Sequence, residues 1–169
     1  VEHTLATGAE RVLARLGADI MLETPSWSDA RRTLAVTLRG AQRATGLIGP
    51  DGRFRKTGGG CELVWAPDAS HLVCVDGGGH QKNAFYRVDP QTLACSPLLD
   101  LPGDYSHEYF PRLSRDGRWF VFGASTGGHE HDTADYEIFL WAVGTPPATA
   151  TRLTFHTGND GWPDVFIAP

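Results

Sequence analysis

The sequence lacks the features that mark several classes of protein. No apolar run approaches the roughly 20 residues that a membrane-spanning helix needs, and no signal peptide is visible. Basic residues are in the minority, since 15 lysines and arginines face 20 aspartates and glutamates and leave a net charge of −5. A general nucleic-acid binder would carry a basic surface, so the charge argues against that class. The chain starts at Val1, which favours its interpretation as a processed or excised piece.

Cysteine pairs and catalytic motifs are missing as well. The three cysteines, Cys61, Cys74 and Cys95, form no CxxC pair, and because three is an odd number at least one thiol has no partner within the chain. Burial as free thiols is the favoured interpretation, with a disulfide left open. There is no GxSxG, no HExxH and no catalytic cysteine signature. The sequence therefore favours a protein without catalytic machinery, although it does not exclude an enzyme.

What the sequence does contain is a repeat rich in turn residues. Its 20 glycines and 11 prolines lie in short clusters. Three segments combine a short strand, a turn with aspartate and a hydrophobic strand, namely PSWSDARRTLAV, LVWAPDASHLVC and PRLSRDGRWFVF, and a fourth start reads WPDVF. The starts are 38, 48 and 52 residues apart when they are aligned on Pro25, Leu63, Pro111 and Pro163.

A second pattern of strand, turn and strand follows each start. Its turns lie at Pro50-Asp51-Gly52, at Asp89-Pro90 and at residues 144–147, and a further copy turns at Ala6-Thr7-Gly8. Each unit thus holds four short strands in about 40 to 50 residues, which is the period of a β-propeller blade. Residues 9–16 are the best helix candidate, but their likeness to the other hairpins favours a strand.

The repeat resembles the unit of TolB-like propellers, also called WD40-like or PD40 repeats. The stretches PRLSRDGRWFVFGAS and DYEIFLWAV match that unit best, whereas Ala30 and Ala69 stand where its usual glycine would be. The resemblance implies an all-β propeller in a bacterial periplasm or cell envelope that serves as an interaction platform. Complete blades are expected at about residues 25–59, 60–102 and 108–156, with parts of a fourth at 1–17 and 161–169.

Three blades and parts of a fourth would leave two sheet faces uncovered, which is unfavourable because apolar faces and strand edges promote aggregation. Three resolutions are open. The favoured one is that the chain is a portion of a longer propeller. Alternatively, copies of the chain assemble into a ring, or residues 162–168 pair with residues 2–16 to close a small four-bladed ring.

Meander geometry predicts where the loops lie. With the strands of a blade lettered a to d from the central channel outward, the b–c loops and the d–a connections emerge on one face, here called the loop face. The a–b and c–d turns emerge on the opposite face, where aspartates but no histidine are expected. Five of the seven histidines and six acidic residues should share the loop face: His80, His107, His129, His131, His156, Asp104, Glu108, Glu130, Asp132, Asp135 and Asp160.

Imidazoles and carboxylates are common ligands of divalent metals. The candidate set for a zinc, manganese or calcium ion is His129, His131, His107, His156 and Asp132. The candidate ligand-binding face comprises Tyr105, His107, Glu108, Tyr109, Asp160 and Trp162. Polar loop residues that bind nothing tightly are the alternative for the histidines. The recurring aromatics Trp27, Trp65, Trp119, Phe122, Phe139 and Trp141 are expected to pack blade against blade.

These features favour a non-catalytic binding or scaffold module that presents the loop face to a protein, peptide or other ligand, with or without a bound metal. Two alternatives remain. Some propellers that resemble this chain, such as the oligogalacturonate lyases, bind a divalent metal through histidines on one face, which would imply a metal-dependent enzyme. An accessory propeller of a larger hydrolase is the other. No nucleic-acid partner and no membrane span are expected.

Overall fold

A computed structural model describes residues 2–128 and 133–168. Three four-stranded antiparallel sheets follow one another along the chain, and a two-stranded hairpin precedes them. Within each four-stranded sheet the strands are neighbours in the order in which they occur in the sequence. The predicted all-β architecture of blades is confirmed. None of the described residues forms a helix that could cross a bilayer.

The strands have the following bounds. The N-terminal hairpin consists of β1 (Glu2–Thr4) and β2 (Ala9–Arg11). The first blade consists of β3 (Ile20–Ser28), β4 (Thr33–Gly40), β5 (Ala44–Ile48) and β6 (Phe54–Gly58). The second consists of β7 (Cys61–Trp65), β8 (Leu72–Gly77), β9 (Asn83–Val88) and β10 (Cys95–Leu99). The third consists of β11 (His107–Leu113), β12 (Trp119–Ser125), β13 (Glu137–Ala142) and β14 (Thr151–Arg152), with a 3-10 turn at Pro147–Thr149 between the last two.

A residue in the left-handed backbone conformation, with a positive φ angle, occurs in each of the four copies of strand a in the repeat. Thr24, Glu62 and Phe110 have φ angles of +46°, +54° and +57°, and each lies where the pairing of strands a and b shifts register at a β-bulge. Trp162, which precedes Pro163 in the fourth copy, has a φ of +50°. The backbone therefore repeats at the same four positions on which the sequence was aligned, although Leu63 replaces proline in the second copy.

Aspartates in the a–b and c–d turns bond the local backbone, as expected for turn chemistry. Asp116 accepts hydrogen bonds from the Ser114 hydroxyl at 2.6 Å and from the Arg118 backbone N–H at 3.1 Å. These bonds, with the Ser114 hydroxyl the largest cause, lower the pKa of Asp116 to about 2. Asp68 and Asp89 likewise accept from the backbone within their own turns. The carboxylates of this face are therefore occupied in holding turns.

In the a–b turns the residue with a positive φ angle was expected at the glycine position of the repeat, and the first blade departs from this expectation. In the third blade Gly117 has a φ of +70°, and in the second Ala69 takes its place with a φ of +56°. In the first blade the left-handed residue is Arg32, with a φ of +48°, rather than Ala30. The first turn spans residues 29–32, so the alignment with Ala30 was wrong there.

Aromatic side chains fill the space between the blades. The Phe85 ring of β9 lies 4.9 Å from that of Phe120 and 5.2 Å from that of Phe122, across the boundary between the second and third blades. Between the first and second blades, the Trp65 indole N–H donates to the carbonyl of Thr33 at 3.1 Å. The predicted packing role holds for the buried Trp65, Phe122, Phe139 and Trp141. Trp119 is half-buried and Trp27 is exposed.

The N-terminal hairpin and residues 162–168 do not pair with each other. The strand β2 stops at Arg11, and residues 12–17 have no regular structure, so the strand expected over residues 9–16 is correct only at its start. Residues 162–168 belong to no sheet and do not pair with the N-terminal hairpin. The structure therefore does not close on itself into a four-bladed ring, which was one of the three arrangements considered from the sequence.

Candidate ligand-binding face

The loop face is formed by the b–c loops and the d–a connections of the three blades. Among the predicted histidines and acidic residues that the structure describes, five lie in these connections: His80, Asp104, Asp135, His156 and Asp160. Asp160 is half-buried, and the other four are exposed. Residues His129, His131, Glu130 and Asp132 lie outside the described residues, so the metal set that depends on them stays a prediction.

Three of the predicted residues lie in a strand rather than in a connection. Because β11 begins at His107, the side chains of His107, Glu108 and Tyr109 belong to the innermost strand of the third blade. Glu108 has an exposed fraction of 0% and Tyr109 of 1%. The expectation that Glu108 and Tyr109 lie in an exposed connection is wrong, since the strand begins earlier than the turn chemistry of residues 103–106 indicated.

Tyr105 and Trp162 are accessible to different degrees. Tyr105 is half-buried, with its ring 5.3 Å from that of Phe139 and 4.8 Å from the guanidinium carbon of Arg152. Trp162 is 59% exposed, and its ring lies 4.8 Å from that of Phe110. Tyr105 therefore packs at the outer part of the third blade, whereas Trp162 lies near the central channel.

Glu108 and Asp160 occupy the same position, two residues before a left-handed residue. Glu108 Oε1 accepts the Leu101 backbone N–H at 2.7 Å, and Asp160 Oδ1 lies 3.0 Å from His156 Nε2. Each carboxylate thus holds the connection that precedes it, residues 101–107 for Glu108 and residues 156–159 for Asp160. Burial raises the pKa of Glu108 to about 7. Both predicted ligand residues therefore have a structural partner that explains their presence.

The last b–c loop is tied to the segment that follows the third blade. Asp135 Oδ1 accepts the Gly158 N–H at 2.9 Å, and the Asp160 N–H donates to the Tyr136 carbonyl at 2.9 Å. A backbone hydrogen bond at Thr157 and the nearby Asp160 carboxylate raise the pKa of His156. The structure therefore brings Asp135 next to the connection that contains His156 and Asp160. No group of three histidine, cysteine or acidic side chains positioned for a metal occurs within residues 2–128 and 133–168.

The other histidines do not converge on this position. The His80 backbone N–H donates to the Asp100 carboxylate at 2.8 and 2.9 Å, which leaves its ring exposed at the second blade. His107 is half-buried in β11. His71 lies next to the a–b turn of the second blade, on the face where no histidine was expected, with its Nδ1 2.7 Å from the Ser70 hydroxyl.

A buried charged cluster at the inner strands was not found by sequence reasoning. Glu62 is 4% exposed, and burial raises its pKa to about 7, with Arg112 the largest opposing influence. Its Oε2 has no hydrogen-bond partner among the described residues. Nearby, Arg39 forms an ion pair of 2.5 Å with Glu23. The only sequence signal was one acidic residue within the otherwise apolar strand Cys61–Trp65.

The innermost strands enclose a cavity of about 500 Å³ at the central channel. Its lining combines hydroxyl, aromatic and cationic side chains from all four copies of strand a: Thr24, Ser26, Trp65, Arg112, Leu113 and Trp162. The Ser26 hydroxyl accepts the Trp65 backbone N–H at 3.0 Å, which fixes that part of the wall. Of the predicted ligand residues that the structure describes, Trp162 alone lines this cavity.

Charge is distributed unevenly between the two halves of the chain. After Arg118 the sequence contains six acidic residues but a single basic one, Arg152. That arginine is already bound, since it donates to Glu137 at 2.6 Å and to the Thr154 carbonyl at 2.7 Å. The connections at residues 100–106 and 153–160 also contain acidic residues and neither lysine nor arginine. The third-blade side of the loop face is therefore acidic.

Solved structures share this architecture, whereas no family profile and no curated protein matches the chain. A TolB protein from Agrobacterium tumefaciens aligns with a TM-score of 0.65 at 19% identity over 89% of this chain and 52% of its own. An oligogalacturonate lyase in complex with manganese aligns with a TM-score of 0.63 at 22% identity, over 89% of this chain and 40% of its own. An oligogalacturonate lyase from Vibrio parahaemolyticus aligns with a TM-score of 0.63 at 20% identity, over 89% of this chain and 41% of its own.

These similarities show the fold. The chain has β-propeller blades like those of the TolB-like proteins and of the oligogalacturonate lyases. It spans between 40% and 52% of the length of the three solved chains. Because fold does not define function, the chemistry has to be argued from the loop face and the channel.

Proposed function

We propose that the chain is a non-catalytic binding module of the propeller type that presents the acidic, third-blade side of its loop face to a cationic partner. The observation that carries this proposal is the presence of Asp104, Asp135 and Asp160 in connections of the third blade that contain no lysine or arginine. A basic protein or peptide segment is the partner that this charge would attract. The likeness to a TolB protein is compatible with a setting in the bacterial cell envelope.

Rigidity of the face supports a binding role. The bonds from Gly158 to Asp135 and from Asp160 to Tyr136 fix two neighbouring connections against each other. The b–c loop of the second blade is held in the same way, since the Gln81 N–H donates to the Ser106 hydroxyl at 2.9 Å. A partner would therefore meet connections that are already held in place at Gln81, Asp135 and Gly158, which reduces the entropy lost on binding.

The charge argument predicts that Asp104→Lys weakens the binding of an octalysine peptide several-fold, because Asp104 is exposed in the acidic connection. Asp19→Lys makes the same change in charge beside the b–c loop of the first blade, which contains Arg43 and whose Ala41 N–H donates to the Asp19 carbonyl, and should have a much smaller effect. Fluorescence anisotropy at low and high salt measures both, and salt should weaken the parent's binding. Equal binding of octalysine and octaglutamate by the parent would contradict the proposal.

A metal-dependent activity is the second candidate, because one solved structure with the same fold is an oligogalacturonate lyase in complex with manganese. In this chain His129 and His131 would have to supply most of the ligands, with His156 and Asp160 beside their loop. A metal there would act as a Lewis acid on a substrate carboxylate or carbonyl. His156 is already paired with Asp160, which would orient its ring as a ligand.

Metal binding predicts a specific thermal shift. Manganese or zinc at about 100 times its Kd should stabilise the tag-free parent by about 2.7 kcal/mol, and EDTA should reverse the effect. The double variant His129→Ala with His131→Ala should lose this shift. His71→Ala, on the opposite face, should keep it. Scanning calorimetry with and without metal measures the result. A parent whose melting temperature does not change with metal would contradict the metal-dependent candidate, whereas the charge-based proposal is tested separately by peptide binding.

A further inference from the structure

The large exposed apolar side chains lie at the two ends of the row of blades. One group lies at the N-terminal end, here called the first end: Leu5, Val12, Met21, Leu22 and Trp27. The other group belongs to the chain from the end of the third blade onward, here called the last end: Leu153, Phe155, Trp162, Phe166 and Ile167. Val143 is the exception among the described residues, since it lies in the c–d turn of the third blade beside Ala66 and His71 of the second blade. The second blade contributes none within the described residues. Apolar surface grouped in this way marks an interaction site.

Two equivalent tryptophans show what is missing at the first end. Trp27 and Trp65 each lie three residues after the left-handed residue of their strand. Trp65 is 9% exposed and bonds Thr33 of the preceding blade. Trp27 is 39% exposed, and its indole N–H donates instead to Asp29 within its own turn at 2.8 Å. Trp27 therefore exposes the surface that its equivalent in the second blade, Trp65, packs against the preceding blade.

A groove lies beside this tryptophan, between the N-terminal hairpin and the first blade. Its volume is about 560 Å³, and it is lined by the apolar Leu13, Leu22, Pro25, Trp27 and Leu34 together with His3, Asp29 and Arg32. All of these residues lie within residues 3–34. The segment of residues 14–20 covers the rest of this sheet face, where Ala14, Leu16 and Ile20 pack against Val36, Leu38 and Ile48. The uncovered part is therefore the inner part, next to strand a.

The last end carries a segment, residues 161–168, that belongs to no sheet. Trp162 has the left-handed φ of the other innermost strands, and its ring packs on Phe110 of the third blade. Farther along, Ile167 and Ala168 lie beside Arg115 and Arg118 of the third a–b turn. Residues 161–168 thus run alongside the third blade as strand a of a further blade would. No strand of the described chain pairs with them, and Phe166 is 85% exposed.

We propose that the groove at the first end receives residues 161–168 of a second copy of this chain, so that two rows of three blades close head to tail into one ring. The inner strand would then come from one copy and the outer hairpin, β1 and β2, from the other. A twofold axis along the channel makes both junctions identical and closes the assembly. The proposal is independent of the ligand bound at the loop face.

Length and charge both favour a second copy as the occupant. The chain covers 40% to 52% of the length of the solved propeller chains, so two copies together have about the length of one of them. Residues 119–169 contain six acidic residues and one arginine, whereas residues 1–43 contain six arginines and five acidic residues. The last end of one copy would therefore be attracted to the first end of the other.

The test is the mass of the tag-free chain in solution, measured by light scattering over a wide range of concentration. The parent is expected at twice the chain mass of 18.3 kDa. Leu22→Asp at the first end and Phe166→Asp at the last end should each give a folded monomer, as judged by circular dichroism. Val143→Asp, an exposed apolar position in a c–d turn, should remain a dimer.

Mixing the two end variants distinguishes this arrangement from other dimers. Leu22→Asp retains an intact last end and Phe166→Asp an intact first end, so their mixture should recover a dimer through one undamaged junction. A dimer that joins two like ends would not be recovered by mixing. A parent that is monomeric at every concentration, an assembly of three or more chains, or end variants that stay dimeric would each overturn the proposal.

Discussion

Phe85→Ala is expected to lower the free energy of unfolding by about 3 to 5 kcal/mol, the usual cost of truncating a buried phenylalanine. Phe85 has an exposed fraction of 0%, and its ring contacts those of Phe120 and Phe122 edge-on. The change would remove the aromatic contact that joins the second and third blades as well as the buried area of the ring. Urea unfolding followed by tryptophan fluorescence measures the effect.

Phe155→Ala is the matched control for that experiment. Phe155 is 72% exposed at the last end, where its main contact is the guanidinium of Arg152, 4.7 Å from the ring. With both truncations measured in the monomeric Leu22→Asp background, that of Phe155 should cost about 0.5 kcal/mol or less, as for most surface substitutions. If the two variants lost equal stability, the main core would not lie between the second and third blades, and the packing derived for them would be wrong.

Glu108→Gln is expected to stabilise the protein at pH 8 and to have little effect near pH 4. Burial raises the pKa of Glu108 from 4.5 to about 7, so the folded state holds the proton more tightly than the unfolded state. The stability that this group contributes is present below pH 4.5 and is lost as pH rises to about 7. The loss amounts to about 3 kcal/mol, and the neutral glutamine avoids it while its amide oxygen still accepts the Leu101 N–H.

Glu137→Gln provides the opposite result for comparison. Glu137 is 2% exposed, and its two oxygens accept from Arg152 and from the Thr154 hydroxyl, both at 2.6 Å. Removal of this charge leaves Arg152 without its anion, so the variant should be less stable than the parent at pH 8. Melting temperatures at pH 4, 6 and 8 measure both variants. A Glu108→Gln variant less stable than the parent at pH 8 would show that the charged form of Glu108 is favoured in the folded state.

The repeat could be predicted because each of its signals is local. Turn residues and alternating apolar positions act within a few residues, so the alignment on Pro25, Leu63, Pro111 and Pro163 gave the correct strand order. Even the left-handed residue before each of these positions recurs in the fourth copy, at Trp162. Strand ends were less accurate, as His107 shows, because the start of β11 depends on its pairing with β12 at Ser125.

The candidate site could be predicted only in part. The sequence placed His80, Asp104, Asp135 and His156 in exposed connections, because strand alternation alone decides on which face a connection emerges. It did not indicate that Glu108 is buried or that Asp160 holds His156, since both depend on how a connection folds back onto its strand. The charged cluster around Glu62 was missed because Glu23, Arg39 and Arg112 come from two other blades.

The sequence by itself determined the all-β fold, the four-strand unit and the face on which each loop emerges, since hydrogen-bonding turns and the two-residue period of a strand are short-range properties. Only the tertiary structure decided which polar side chains are buried, which tryptophan meets a neighbouring blade and which is exposed. Those outcomes depend on contacts between residues of different blades, such as Trp65 and Thr33, and such contacts exist only once one blade has packed against the next.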